Sequence, residues 1–258
     1  MRIAVISDIH GNLSALRAVL ADIARQGADL TVNLGDILSG PLQAAGTADL
    51  LMGKGFPTIR GNHERQLLAL LEAGGAPLDP STSDGFAAAQ LDAAPVAWLR
   101  GLPVSLMPEA EVRLCHGTPD SDLQYWLETV VPGFDGQGHS GVRPASPAEV
   151  QDRLGPAQPA LVLCGHTHVP RIVQCGGTLI VNPGSVGLQA YSDAHPWPHV
   201  IENGAPHARY ALVERRPAGW QAELRAVPYD HLAQAAVALR NGRPDWAHAL
   251  ATGRMPPS

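Results

Sequence analysis

Length, composition and charge exclude several classes of protein before any motif is considered. The chain has 258 residues, 45% of them hydrophobic, which is enough to bury a sizeable core. A formal net charge of −6 predicts no general attraction to nucleic acid or anionic lipid. No apolar stretch has the length of a signal or membrane segment, so we expect a cytoplasmic enzyme with its three unclustered cysteines reduced.

Short apolar runs predict buried strands at five places in the chain: residues 2–7, 30–34, 57–60, 112–115 and 160–164. Such runs, rich in β-branched residues and ended by Gly or Asp, are typical of strands buried on both faces. Between the first two runs, Asn12 can cap a helix whose apolar residues recur at helical spacing until Gly27. The order strand, helix, strand predicts a parallel pair with a right-handed crossover.

Each of the five runs leads into a polar motif. The motifs are Asp8-Ile9-His10, Gly35-Asp36, Gly61-Asn62-His63-Glu64, Cys115-His116-Gly117 and Gly165-His166-Thr167-His168. Ligands gather outside the carboxyl ends of strands in open α/β sheets, so we expect all five motifs at one edge of one sheet. Asp, His and Asn are ligands that Mn, Fe and Zn prefer. Seven such ligands exceed the need of one ion, and two bridged ions suit in-line displacement at a phosphate ester.

The order of these motifs, followed by Asn182-Pro183-Gly184-Ser185-Val186-Gly187, resembles the calcineurin-like metallophosphoesterase superfamily, and most closely its small bacterial phosphodiesterase-like branch. The resemblance implies an α/β fold, a four-layer α-β-β-α sandwich with two mixed sheets, in a single domain over residues 1–258. Residues 171–174, 178–181, 208–214 and 221–225 would then form the second sheet. The alternation in the last two runs predicts antiparallel strands with one face in water.

The same resemblance implies a role for individual residues. The implied metal ligands are Asp8, His10 and His168 for the first ion, Asn62, His116 and His166 for the second, and Asp36 as the bridge. The ions would be divalent transition metals (Mn, Fe, Zn, Co or Ni, with Mn favoured) holding a hydroxide as the nucleophile. His63 would protonate the departing oxygen, and Arg60 would reach a non-bridging phosphate oxygen.

The chain departs from the protein phosphatases of this superfamily in two respects. No carboxylate follows the bridging Asp36 to orient the imidazole of His63, and the direction of the Glu64 side chain is open. The arginine pairs that bind phosphoprotein have no obvious counterpart. Both departures argue against a protein phosphatase.

Structural interpretations compete with some of these assignments. A single His after a strand is more often a satisfied polar group than a ligand, but five motifs in order make a purely structural explanation improbable. For residues 182–187, a tight turn and a substrate-facing loop are equally well supported.

Two further segments are candidates for substrate recognition. Residues 118–147 form a predicted cap or substrate loop containing Tyr125, Trp126 and Phe134, whose aromatic rings could stack on a base or pack onto the domain. Residues 189–207 could be a companion loop. Two helices are expected near the end, over residues 231–239 and 245–251.

The sequence therefore predicts a metal-dependent phosphoesterase acting on a small phosphodiester, phosphomonoester or nucleotide. One alternative is a dinucleoside polyphosphate pyrophosphohydrolase, which would use the same centre. Another is a non-catalytic metal-binding scaffold of the same fold, against which the presence of His63 argues, since a scaffold needs no proton donor. The sequence leaves the oligomeric state open.

Overall fold

A computed structural model describes residues 1–74, 77–136, 138–156 and 159–257, in which thirteen strands and eight helices occur. The strands are β1 (Arg2–Ile6), β2 (Leu30–Asn33), β3 (Leu106–Glu109), β4 (Val112–Leu114), β5 (Glu128–Val130), β6 (Val142–Pro144), β7 (Leu161–Leu163), β8 (Arg171–Cys175), β9 (Thr178–Asn182), β10 (Ala190–Asp193), β11 (His199–Glu202), β12 (Ala208–Arg216) and β13 (Gly219–Val227). The helices are α1 (Leu13–Gln26), α2 (Ala44–Met52), α3 (Asn62–Ala73), α4 (Ser83–Ala88), α5 (Ala93–Gly101), α6 (Pro147–Leu154), α7 (His231–Arg240) and α8 (Pro244–Thr252).

The first sheet has the strand order β13-β12-β1-β2. Strands β1 and β2 are parallel and are connected through α1, as predicted, while β12 runs antiparallel to both β1 and β13. The prediction that residues 208–214 and 221–225 join the second sheet is wrong. Alternating burial along a strand indicates one wet face, which β13 has, but it does not identify the neighbour with which the strand pairs.

The second sheet has the order β3-β4-β7-β9-β8, with parallel strands at its centre and antiparallel strands at both edges. Residues 57–60 were expected to form a strand, but they make only one parallel bridge, between Asn33 and Thr58. Pro57 has no N–H to donate, and the N–H of Arg60 bonds to the carbonyl of Pro103 at 2.9 Å instead of extending the ladder.

The expectation that every motif lies at the edge of one sheet is also wrong. Asp8 and Asp36 follow strands of the first sheet, whereas His116 and His166 follow strands of the second. Strands buried on both faces have the same sequence pattern in one sheet or in two, so the pattern does not distinguish these arrangements. The loops from the two sheets still meet, because the backbone N–H of His166 contacts the carboxylate of Asp8 at 3.2 Å.

Successive side chains along a strand face opposite sides of its sheet, and this arrangement gives the four layers of the fold. In β1, Ile3 and Val5 face a core between the two sheets, while Ala4 and Ile6 face a second core against helices that include α1, α2 and α3. A third core covers the outer face of the second sheet, where Val162 and Cys164 pack with residues of α6. The predicted α-β-β-α sandwich with two mixed sheets is therefore confirmed.

The helices have the ends that the sequence indicated. The side chain of Asn12 accepts a hydrogen bond from the N–H of Ala15 at 3.1 Å, and Gly27 ends α1. Helices α7 and α8 confirm the two predicted near the end of the chain. Within the described ranges, no helix has both the length and the apolar character needed to cross a membrane.

Candidate metal centre

Backbone strain is concentrated in the predicted metal ligands. Among the described residues, those other than glycine with a positive φ are Asp8 (54°), His10 (52°), Asp36 (52°), His166 (69°) and His168 (59°). This left-handed conformation costs a residue with a side chain roughly 1 kcal/mol or more, and such strain is typical of functional sites. The loops after β1, β2 and β7 therefore have conformations that place these side chains at an energetic cost.

The glycines of the motifs make room for the carboxylates. A Cβ atom at Gly61 would lie 2.2 Å from Oδ1 of Asp36, and one at Gly165 would lie 2.1 Å from Oγ of Ser7 and 2.8 Å from Oδ2 of Asp8. Any other residue at these two positions would push the carboxylates out of place. The glycines are thus part of the geometry of the site.

The first ligand group consists of Asp8, His10 and His168, whose ligand atoms all lie within 4.8 Å of one another. Nδ1 of His10 lies 2.8 Å from the carbonyl oxygen of Ser39, and Nδ1 of His168 lies 2.8 Å from that of Leu188. A carbonyl only accepts, so each Nδ1 carries the proton and each Nε2 presents a lone pair. The two Nε2 atoms are 3.0 Å apart.

The second ligand group brings Asp36, His116 and His166 together within the same limit. Nδ1 of His116 donates a hydrogen bond to the carbonyl of Leu34 at 2.7 Å. Its Nε2 lies 3.1 Å from Oδ2 of Asp36, but the two atoms do not have the geometry of a hydrogen bond. His166 uses its other nitrogen, because Nε2 bonds to the carbonyl of Leu123 at 3.1 Å and Nδ1 stays available. The sequence placed Asn62 here as well, and its Oδ1 is buried without a hydrogen-bond partner.

These donor atoms fit metal ions. The Nε2 atoms of His10 and His168, 3.0 Å apart, can share one proton or bind one metal ion, and a buried amide oxygen without a partner is costly. Burial, assisted by the neighbouring His168, lowers the pKa of His10 to about 3, and burial together with His116 lowers the pKa of His166 to about 4. Both imidazoles are therefore neutral, as metal binding requires.

The carboxylate of Asp36 stabilises positive charge on the groups around it. Burial alone would raise the pKa of its carboxyl group, but the charges of His116 and His63 outweigh burial and hold this pKa well below its usual range. In turn, Asp36 overcomes the effect of burial on His116 and raises the pKa of that imidazole to about 10. A proton or a metal ion is thus stabilised beside Asp36.

His63 lies beside the ligands with its own partner. Its backbone N–H donates to Oδ1 of Asp36 at 3.0 Å, and its Nδ1 lies 2.9 Å from Oδ1 of Asp84. Burial opposes protonation, but Asp36 and then Asp84 raise the pKa of His63 to about 9. The imidazole is therefore cationic at neutral pH, held by a carboxylate, and able to donate a proton from Nε2.

A cleft of about 850 Å³ opens from this centre. His10, Asp36, Asn62, His63, His166 and His168 line it, and the aromatic rings of Tyr125, Tyr191 and Trp246 form another part of its wall. Arg60 is not among the lining residues, so its contact with a phosphate oxygen stays a prediction.

A comparison with known families now decides what kind of protein this is. The model of the calcineurin-like phosphoesterase superfamily domain matches residues 1–196. The chain belongs to this superfamily. The family resemblance predicted from the motifs is thereby confirmed, and with it an assignment to a family of metal-dependent enzymes that act on phosphate esters.

Three individual proteins are similar to this chain along nearly its whole length. A metallophosphoesterase from Sphaerobacter thermophilus is 24% identical, with a TM-score of 0.73, covering 98% of this chain and 100% of its own. A hypothetical protein from Pyrococcus horikoshii OT3 is 18% identical, with a TM-score of 0.67 and 99% of each chain covered. An uncharacterized protein of Methanocaldococcus jannaschii is 25% identical over 255 residues, which are 95% of this chain and 94% of that protein. The two structures show the shared fold.

The position of Asp84 is the main feature that the sequence did not reveal. In this chain no carboxylate follows Asp36 to orient His63, and Asp84 instead reaches the imidazole from the first turn of α4, across a sequence separation of 21 residues. Glu64, which the sequence left open, is buried and accepts the N–H groups of Asp36, Ile37 and Gly61 at 2.7–2.8 Å. Glu64 thus holds the loop of Asp36, and only its place within the motif Gly61-Asn62-His63-Glu64 could have suggested this.

Residues 182–187 connect the loops of the superfamily motifs. The side-chain amide of Asn182 donates to the carbonyl of Gly165 at 2.8 Å, and the hydroxyl of Ser185 donates to the carbonyl of Asp8 at 2.7 Å. A Cβ at Gly187 would lie 1.8 Å from the carbonyl oxygen of Ile9. These contacts favour the structural interpretation over a substrate-facing loop.

The predicted cap segment, residues 118–147, contains the hairpin of β5 and β6, and its residue 137 lies outside the described residues. Trp126 is only 1% exposed, packs in the core beneath the second sheet and donates from Nε1 to the carbonyl of Val150 at 3.1 Å. Residues 189–207 contain the hairpin of β10 and β11. Both segments contribute a tyrosine to the cleft, and a cap function stays a prediction.

Proposed function

We propose that this chain is a phosphoesterase that binds two divalent transition-metal ions and hydrolyses a small phosphate ester. The observation that carries the proposal is the meeting of two ligand groups, with donor atoms directed at one another, in a cleft lined by a cationic His63. Nε2 of His116 and Oδ1 of Asn62 are buried without a hydrogen-bond partner, which a purely structural cluster would avoid.

The proposed ligand sets are those that the family resemblance implies, and the grouping of the carboxylate and imidazole atoms supports them. Asp8, His10 and His168 would hold one ion, and Asn62, His116 and His166 the other. Asp36 would bridge them, since its carboxylate adjoins the second group and its charge also acts on His10. Two bound divalent ions would neutralise phosphate charge and activate a water molecule. Nitrogen and oxygen donors without thiolate suit Mn, which we favour.

In this proposal His63 is the general acid and Asp84 is its positioning residue. Asp84 accepts a hydrogen bond from the N–H at Nδ1 of His63, which fixes the orientation of the ring. The proton on Nε2 would then be donated to the leaving oxygen. The carboxylate that orients the ring is not one of the proposed metal ligands, because Asp84 comes from α4 and not from a strand end.

The size of the cleft favours an ester larger than phosphate alone. A volume of about 850 Å³ lies in the range of sites that enclose whole small molecules. We therefore propose a small phosphodiester, phosphomonoester or nucleotide as the substrate. A dinucleoside polyphosphate would use the same centre. The cytoplasmic location and the absence of general nucleic-acid binding remain predictions from the sequence.

A turnover assay on the metal-depleted and manganese-loaded protein tests the function. We expect no hydrolysis of bis(p-nitrophenyl) phosphate after chelation, and restored hydrolysis when Mn²⁺ is returned. Parallel assays with p-nitrophenyl phosphate and a nucleotide rank diester, monoester and pyrophosphate bonds. Absence of turnover on all three, with metal bound, would instead support the non-catalytic scaffold.

A further inference from the structure

Two tyrosines stand beside the candidate metal centre, one next to a ligand of each group. The ring of Tyr191 lies 4.7 Å from that of His168, and the ring of Tyr125 lies 5.1 Å from that of His166. Tyr191 comes from β10 and Tyr125 from the segment before β5, and both line the cleft. Neither tyrosine belongs to a motif that the sequence analysis connected with metal binding.

The hydroxyl proton of Tyr125 is used in a hydrogen bond to a histidine, whereas the proton of Tyr191 has no comparably strong acceptor. Nδ1 of the buried His199 lies 2.8 Å from the carbonyl oxygen of Trp197, a contact that selects the tautomer with the proton on Nδ1 and the acceptor at Nε2. The hydroxyl of Tyr125 lies 2.9 Å from that Nε2 and must donate to it. Tyr191 then donates to the oxygen of Tyr125, at 2.5 Å.

Of the three hydrogen-bonded residues Tyr191, Tyr125 and His199, Tyr191 is therefore the one whose hydroxyl proton can turn to a different acceptor. Its other protein acceptor, the carbonyl of His166, is 3.5 Å away, which is long for a hydrogen bond between oxygens. An anionic oxygen in the cleft would be a stronger acceptor than the phenol of Tyr125, because hydrogen bonds to charged groups are roughly twice as strong as neutral ones.

The arginines that line the cleft already have acceptors. Arg243 makes a two-point contact with Asp245 and also bonds to Ser83, at distances of 2.7–3.1 Å. Arg153 donates to the carbonyls of Trp126 and Glu128 at 2.8 and 2.9 Å. A phosphoryl group beside the metal centre thus has in Tyr191 a side-chain donor that is free to reorient.

We propose that the hydroxyl of Tyr191 leaves Tyr125 and donates a hydrogen bond to a non-bridging oxygen of the bound phosphoryl group. This inference rests on the proposed function, and it adds a binding residue outside the metal ligands and the dyad of His63 and Asp84. The ring of Tyr191 stays against His168, so only the hydroxyl proton needs to move.

The test compares two variants that each lose one hydroxyl group, Tyr191→Phe and Tyr125→Phe. Inorganic phosphate is titrated calorimetrically into the manganese-loaded protein, and metal content is measured on the same samples. We expect Tyr191→Phe to raise the Kd for phosphate by about tenfold or more, since loss of a hydrogen bond to a charged group has this scale. Tyr125→Phe should keep the affinity of the wild type, because Tyr191 can still donate.

Each other outcome overturns the inference. Unchanged phosphate affinity in Tyr191→Phe, or an equal loss in both variants, would show that the tyrosines only pack against the histidines. Loss of metal from Tyr191→Phe would show that the residue acts through His168. If the metal-loaded wild type neither binds phosphate nor hydrolyses any ester, the proposed function fails and the inference fails with it. Hydrolysis by the wild type with normal phosphate affinity in Tyr191→Phe refutes the inference alone.

Discussion

The ligand edge of the cleft and its outer wall are built in different ways. At the ligand edge, Asp8, Asp36 and His116 follow strands directly, and backbone carbonyls or strained loop conformations hold their neighbours in place. On the outer wall, Tyr191 comes from a hairpin and bonds to Tyr125, and Asp84, which supports the cleft residue His63, comes from a short helix. The first arrangement specifies chemistry that different phosphoesterases can share, and the second specifies how one chain uses it.

This comparison predicts that substitutions at the ligand edge reduce metal binding and activity more than substitutions in the outer wall do. A ligand variant should lose both metal and activity, a variant of the dyad should lose activity alone, and a variant behind the wall should lose stability alone. Four substitutions examine this order.

Asp36→Ala should have the largest effect, with loss of bound metal and of turnover greater than in any other ligand variant. Its carboxylate adjoins one ligand group and acts on the other, so its removal also leaves two cations without the intervening anion. Metal analysis and turnover, measured beside His10→Ala, provide the comparison. Full metal content and activity in Asp36→Ala would refute its role as the bridge.

The sequence predicted the ligand edge better than the wall because each proposed ligand follows a short apolar run in the sequence. His166 and His168 were identified because they follow an apolar run within a glycine-containing motif. The pairing of strands was not predictable in the same way: residues 208–214 have the same alternation in either sheet. Asp84 lies outside every motif, and its contact with His63 depends on how α4 packs, which is a tertiary property.

His63→Gln should lower kcat by about 100-fold or more while metal content stays nearly unchanged, the usual scale for a positioned general acid. The loss should be smaller for a nitrophenyl ester, whose leaving group departs without a proton, than for an alkyl ester. Steady-state kinetics with the two esters measures this difference. Equal losses on both would indicate that His63 positions the substrate and does not protonate it.

Asp84→Asn should lower kcat by about tenfold, less than His63→Gln, because the imidazole remains but its orientation and proton are less well fixed. KM should change little, and the loss should show the same dependence on the leaving group. The double variant should be no worse than His63→Gln, since the two residues act as one unit. Additive losses in the double variant would separate Asp84 from the function of His63.

Trp126→Ala should affect stability and leave the ratio of activities on a nucleotide and a small aryl ester unchanged. The 1% exposed side chain packs in the core beneath the second sheet, and truncation of a buried Trp costs about 3–5 kcal/mol. Trp197, at 51% exposed, is the matched control, and its replacement should hardly alter the Tm. A rise in KM for the nucleotide alone, at normal Tm, would restore the idea that Trp126 stacks on a base.

The metal stoichiometry of the purified protein tests the central claim most directly. After chelation and dialysis against Mn²⁺, elemental analysis should find two ions per chain in the wild type. His10→Ala should retain the ion of the second group, formed by Asp36, His116 and His166 with Asn62. A wild-type protein that binds one ion or none at saturating Mn²⁺, and at saturating Fe, Zn, Co or Ni, would contradict the two-metal centre.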